Sequence, residues 1–428
     1  MSPFLLIFAL AAFAFVGIYK RDWALYLIIL LLPAYQIRFQ IGPPAGGVPM
    51  TFLESLILLL AVVQFADLVF QKRLSAAWST ISKHRLTVIF IFLFLFAALL
   101  SVFTAPDQIK AAGIFKAYFF EAVLFYFLAI LIIDGEKKLN TLWKVLSVLV
   151  LYLSVFGIYQ FITLAYLPFN WWAVDIASRR ITSLVNHPNA LALLLGPILA
   201  ILIALSKKTW LHGLAIGFGL VAFYLTFSRA AWLALAVVIL AFGLFTKAKK
   251  KILAAVSIGV LLIFLVPFSR TKLLGLARGS DPSQQNRYVL WSAATDMLKK
   301  SPLLGVGLTG FREAYKNYPL GPDRVVQNYP HNFFLNFWLE VGLLGLISVI
   351  GLLILFCKKI CEAMTSPLSP PHEEGIKRRS WALAAAAGMS MILLHGLVDV
   401  PYFKNDLSVL FWLIYSLPFL TTQIPTRD

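Results

Sequence analysis

The chain has 428 residues, 60% of them hydrophobic and 14% aromatic, with only 13% charged. Mean hydropathy is +0.85, and apolar runs long enough to cross a bilayer recur along the chain, which excludes a soluble globular domain. The net charge of +18 raises nucleic acid as a partner, but the lysines and arginines cluster in short loops between apolar runs, where the positive-inside rule puts them.

These features predict an all-α, polytopic membrane helix bundle. A membrane β-barrel is excluded because its strands are short and alternate in hydropathy. Met1–Tyr19 has neither a basic leading region nor a small-residue cleavage site, so it reads as a retained first helix. In chain order the candidate spans are roughly 2–19, 22–39, 50–70, 86–104, 112–133, 141–165, 188–205, 210–227, 229–246, 251–268, 332–357, 380–398 and 406–422. That makes about thirteen, or twelve if the first two merge across Lys20-Arg21-Asp22.

The basic loops around 72–85, 137–144, 207–208, 247–251 and 358–379 fall on one side if the spans alternate, and that side is the cytoplasmic one. The organisation expected is an N-terminal bundle (1–268), one large extracytoplasmic loop (269–331) and C-terminal helices (332–428).

The loop is the polar island of the chain. Asp281-Pro282 has the chemistry of an N-cap and first helical residue. Helical spacing follows at Val289/Leu290, Ala293/Ala294 and Met297/Leu298, and Ser301-Pro302 stops it. A shorter helix is expected over Phe311–Tyr318. The loop is basic, which an anionic ligand would explain.

Several polar residues could carry chemistry. Arg229 stands at the tight junction of two spans, either as a snorkelling arginine or as an anion ligand facing a cavity. Arg287 sits in the first turns of the loop helix, as a surface residue or as an anion ligand aided by the helix dipole. His331 precedes a span and is the residue best placed to accept a proton at neutral pH. Asn332, Asn336 and Glu340 share one face of that span; they serve helix–helix bonding or line a polar cavity. Glu54 and Glu121, within spans, could pair with an arginine, and His395 and Asp399 lie one turn apart. Cys357 and Cys361, also one turn apart, read as ordinary helix residues. There is no metal-ligand, nucleophile-elbow or phosphate-loop motif in the sequence.

The order of these pieces resembles the O-antigen ligase and polymerase superfamily of bacterial membrane glycan-assembly enzymes. The resemblance lies in Arg180-Ile-Thr-Ser-Leu-Val-Asn186-His187-Pro188-Asn189, Phe227-Ser228-Arg229-Ala230-Ala231-Trp232, Asn286-Arg287-Tyr288 with Trp291, Pro302-Leu-Leu-Gly305-Val-Gly307, Pro330-His331-Asn332 and Glu340-Val-Gly342-Leu-Leu-Gly345. It implies a GT-C-like glycosyltransferase of the bacterial inner membrane, with its active site facing the periplasm and needing no metal, cofactor or nucleotide sugar. The donor would be a glycan on undecaprenyl pyrophosphate, and the acceptor the lipid A–core of lipopolysaccharide. The family's essential arginines map onto Arg229 and Arg287 and its essential histidine onto His331. Arg180, Asn186, Asn332 and Arg312 join the arginines as expected ligands of pyrophosphate or glycan. A polymerase or protein oligosaccharyltransferase of the same superfamily differs only in acceptor. A lipid-linked glycan transporter is the rival from another class, and it would spread polar residues through the full membrane depth.

Overall fold

A computed structural model describes residues 3–42, 47–172, 179–205, 209–244, 282–321, 325–365 and 373–421, together with 253, 270 and 274. In chain order its helices are α1 (Pro3–Tyr19), α2 (Arg21–Leu30), α3 (Phe52–Phe70), α4 (Leu74–Ser82), α5 (Arg85–Phe103), α6 (Gln108–Ile132), α7 (Glu136–Thr163), α8 (Pro188–Leu205), α9 (Trp210–Leu225), α10 (Arg229–Leu244), α11 (Pro282–Lys300), α12 (Gly310–Tyr315), α13 (Phe333–Thr365), α14 (Glu373–Gly396) and α15 (Asn405–Thr421). The protein is an all-α, multi-pass membrane bundle. Six of the described helices (α3, α5, α6, α7, α8 and α13) have the length and hydropathy to cross a bilayer unaided. Shorter apolar helices α1, α9, α10 and α15 pack with them. The span expected over 251–268, the loop cap residue Asp281 and most of 269–281 lie outside the described residues.

One expectation is corrected. The stretch 22–39 is not a single span: α2 ends at Leu30, a 3-10 turn covers Leu32–Gln36, and Arg38–Ile41 pairs antiparallel with Val48–Thr51. Pro33 sits inside that turn; its ring would clash with the carbonyl four residues back and it offers no N–H, which favours ending the helix there. The hairpin and the surface helix α4 carry too weak a pattern to have been expected from sequence.

The helices on either side of the large loop share one apolar core. α14 packs along α8 and α15 along α6. Lipid offers no hydrophobic drive between helices, so close packing and buried polar bonds hold such a bundle. Glu54 supplies one such node. It closes a capping box with Thr51 at the start of α3, meets Lys116 of α6 at 3.0 Å and accepts from Asn405 of α15 at 2.8 Å. Its partner is thus a lysine rather than the arginine expected. Glu121 is fully buried nearby.

α13 is broken at Gly342, which has φ +79° and ψ 178°. Here the strap leaving α11 inserts its backbone. Leu343 N–H donates to the Leu303 carbonyl at 2.8 Å, and Val306 N–H donates to the Leu339 carbonyl at 2.7 Å. Thr309 N–H donates to the Glu340 carboxylate at 3.2 Å. Gly305 has φ +68°, and a Cβ there would fall 2.1 Å from the Leu339 carbonyl oxygen. Two of the glycine-bearing sequence motifs therefore lock together. The same contact corrects a second expectation. Asn336 and Glu340 are fully buried and line none of the pockets described here; Glu340 holds the strap through Thr309, and the Asn336 amide has no hydrogen-bond partner among the described residues.

Above this lock, Leu290, Ala293, Ala294, Met297 and Leu298 of α11 pack with Phe311, Tyr315 and Leu339 into a small second core. It seats α11 on the outer part of α13, on the face expected from its apolar spacing.

Candidate functional site

The first component is the α9–α10 junction. Thr226 Oγ1 donates to the Phe223 carbonyl at 2.7 Å, capping the end of α9. Phe227 takes a left-handed φ of +48° and turns the chain, so that α10 begins on Arg229. Trp232 braces the turn, stacking on Tyr224 with ring centroids 5.1 Å apart. Arg180 ties in from the preceding loop: its Nε donates to the Thr226 carbonyl at 2.8 Å and its Nη2 to Asn189 Oδ1 at 2.6 Å. The guanidinium lies 5.3 Å over the Trp171 ring. Burial, and then the positive charge of Arg229, push the Arg180 pKa down to about 10, which leaves it charged at neutral pH.

The second component is the turn between α14 and α15. Three consecutive residues there hold three groups from elsewhere in the chain. The Leu397 carbonyl accepts from Asn332 Nδ2 at 3.0 Å. The Val398 carbonyl accepts from Arg287 Nε at 2.8 Å. Asp399 Oδ1 lies 3.0 Å from His331 Nδ1. Asn332 also caps α13, its Oδ1 accepting from Leu335 N–H at 2.9 Å. Arg287 Nη1 further donates to Ser283 Oγ at 3.1 Å.

Burial alone would raise the Asp399 pKa; the hydrogen bond and charge of His331 outweigh it, and the carboxyl is held well below the usual range. An ionised Asp399 is an acceptor for an Nδ1–H of His331, and in the neutral imidazole that tautomer puts the lone pair on Nε2. His331 itself sits at φ +51°, a conformation non-glycine residues rarely hold unless their surroundings demand it.

His187 has the opposite tautomer. Its Nδ1 accepts the Asn189 N–H at 3.0 Å. Burial, and then Arg180, lower its pKa to about 4, so it is neutral at neutral pH with its proton on Nε2. Neutral His187 is therefore a donor, and His331 an acceptor, on one cavity wall.

Two cavities meet here. The larger, about 640 Å³, is lined by residues that include Arg180, Arg229, Arg287, Trp291 and the apolar Leu233, Val237 and Leu394. The smaller, about 290 Å³, is lined by residues that include Arg180, Arg287, His187 and His331. Arg180, Asn189, Ser283 and Arg287 belong to both linings, so the two form one cleft. Among the described residues its walls carry three guanidinium groups and no aspartate or glutamate. The Trp291 indole N–H is buried without a hydrogen-bond partner among the described residues.

Residues 214–350 match the family model described as O-antigen ligase. That match supports membership of the O-antigen ligase-like superfamily. Members are glycosyltransferase-like ligases and polymerases, which supports that general enzyme class for this chain. No curated protein matches the chain.

The O-antigen ligase segment contains Arg229, Arg287, Arg312, His331 and Asn332; Arg180 and Asn186 precede it and Asp399 follows it. The structure brings Arg180, Arg229, Arg287 and His331 to the one cleft. Asn332 stands beside it as a cap and tether, lining neither cavity. Asn186 is exposed and lines neither cavity. Arg312 is exposed and donates to Asn328 at 2.9 Å, away from the lining. Three neighbours of the O-antigen ligase motifs were not singled out as site residues from sequence: Asp399 as the partner of His331, His187, and Trp291. For His187 and Trp291 the signal was present, since both lie inside quoted motifs.

Proposed function

We propose that the protein is an O-antigen ligase. It would transfer a glycan from undecaprenyl pyrophosphate to the lipid A–core of lipopolysaccharide, at the periplasmic face of the bacterial inner membrane. The observation that carries this reading is the cleft in which three guanidiniums stand beside a His–Asp pair.

Guanidinium groups bind phosphate oxygens through paired, charge-assisted hydrogen bonds. Arg180, Arg229 and Arg287 would hold the donor pyrophosphate, and the Trp291 N–H would add one more donor. The apolar wall of Leu233, Val237 and Leu394 would take the start of the polyprenyl chain. The acceptor hydroxyl would attack the anomeric carbon as its proton passes to His331 Nε2. The bond from that carbon to the pyrophosphate oxygen would break, and the electron pair would leave on undecaprenyl pyrophosphate, stabilised by the same guanidiniums. Asp399 would hold the tautomer and stabilise the imidazolium formed. A single displacement inverts the anomeric centre.

The test is glycan transfer by the purified protein. It would be given a lipid-pyrophosphate-linked glycan and a lipid A–core acceptor, with chelator and without nucleotide. Glycosylated lipid A–core is the expected product. Elongated lipid-linked glycan would instead identify a polymerase. Lipid movement without transfer would identify a transporter.

A further inference from the structure

We infer a second anion site at the opposite end of the bundle, which takes the phosphate of an anionic phospholipid headgroup. The cleft above lies at the start of α13; this cavity, about 530 Å³, lies near its other end. Lys83, Arg85, Lys358 and Lys359 line it with His84, Ser79, Ser82, Thr87 and a single acid, Glu362. Lys359 is already matched to Glu362 at 2.6 Å. Three cations remain for one concave space. The positive-inside rule explains basic residues on a membrane face, but not the convergence of cations from the α4–α5 junction and from the far end of α13 on one hollow.

The wall of the hollow adds neutral donors. α5 begins at Arg85 after His84, whose side chain makes no cap hydrogen bond, so the leading amides of a long helix open beside the cations. Burial, and then Lys359, lower the His84 pKa. The shift favours the neutral imidazole, so the hollow's positive charge comes from its lysines and arginine.

The flank points to lipid rather than to a free anion. α4 has no buried residue. Leu74 and Trp78 lie one turn apart on it, 46% and 65% exposed, with Ile81 on the same side. Lying in the membrane plane, such a helix would rest at the acyl boundary with its tryptophan at headgroup depth. The apolar stripe and the cationic hollow are adjacent along one element, which suits a molecule with an acyl part and a phosphate.

Binding would be measured on the full chain in neutral-lipid nanodiscs, titrated with phosphatidylglycerol. Phosphatidylcholine and inorganic phosphate serve as separate arms. Phosphatidylglycerol should bind saturably and the other two should not. Each cation near a membrane surface is worth roughly a fivefold factor, so Lys83→Gln/Arg85→Gln/Lys358→Gln should weaken binding about a hundredfold. Because Arg85 starts a helix, Lys83→Gln/Lys358→Gln is run beside it and should lose about twenty-fivefold on the same scale. Unchanged phosphatidylglycerol affinity in that double variant would overturn the site. Equal binding of phosphatidylcholine would do so too. Inorganic phosphate competing at the same concentration as the lipid would overturn the lipid assignment. None of these readouts depends on glycan transfer.

Discussion

At the scale of single residues, the cleft is defined by which atom carries a proton. His331 Nδ1 lies 3.0 Å from Asp399 Oδ1, and the proposed mechanism uses its other nitrogen as the base. His331→Ala should abolish glycan transfer while donor binding persists, read by single-turnover transfer and by donor affinity. Asp399→Asn should keep donor affinity but lower turnover by about 10²–10⁴-fold, because the amide no longer enforces the tautomer. Near-normal turnover in either variant would remove the pair from the chemistry.

His187 gives a pH signature. Its pKa is lowered to about 4 in the fold, against about 6.5 when unfolded. The unfolded chain therefore binds more protons between those values, and stability falls as pH drops from about 6.5 towards 4. The loss through this group should reach up to about 3 kcal/mol. Thermal unfolding of His187→Asn should show a flatter pH dependence over that window than the parent; identical slopes would contradict the assignment. The arginines and His331 were visible in sequence because charge is rare in so apolar a chain. Asp399 was visible as a charge but not as a partner, since 68 residues separate it from His331.

At the scale of elements, the strap after α11 and the break in α13 form one device. The broken helix leaves carbonyls and amides unmatched near Gly342, and the strap backbone takes them up. Gly305→Ala should destabilise by about 3 kcal/mol or more, through a disfavoured φ and a Cβ against a carbonyl oxygen. Scanning calorimetry in detergent would read this as a lowered Tm, and an unchanged Tm would exclude the lock. α11 itself was legible, because its apolar period and its Ser301-Pro302 stop are local signals. The docking of the strap on Glu340 was not. A polar stripe on an apolar helix looks the same whether it meets water or a neighbouring backbone.

At the scale of the whole molecule, the bundle is tied by contacts far apart in sequence. Glu54 joins α3, α6 and α15, reaching across 351 residues to Asn405. Glu54→Ala should cost about 3 kcal/mol, because it strands the partly buried Lys116. Replacing Lys116 by Met together with Glu54 by Leu should recover much of that loss in the same unfolding assay; equal Tm values for the single and double variants would argue against the pairing. The class of the fold could be read from composition alone. The stretch 22–39 has the apolar length of a span, but the proline inside it divides it into a helix, a 3-10 turn and a strand.

The Leu397-Val398-Asp399 turn lies past the end of the O-antigen ligase match. A frameshift anywhere between residue 350 and this turn would leave every quoted motif intact. Such a gene would still look complete by its family match. Its product would have lost the carbonyls under Asn332 and Arg287 and the carboxylate behind His331. In surveys of bacterial genomes, the last two helices are therefore the part of the reading frame to inspect before a copy is counted as functional.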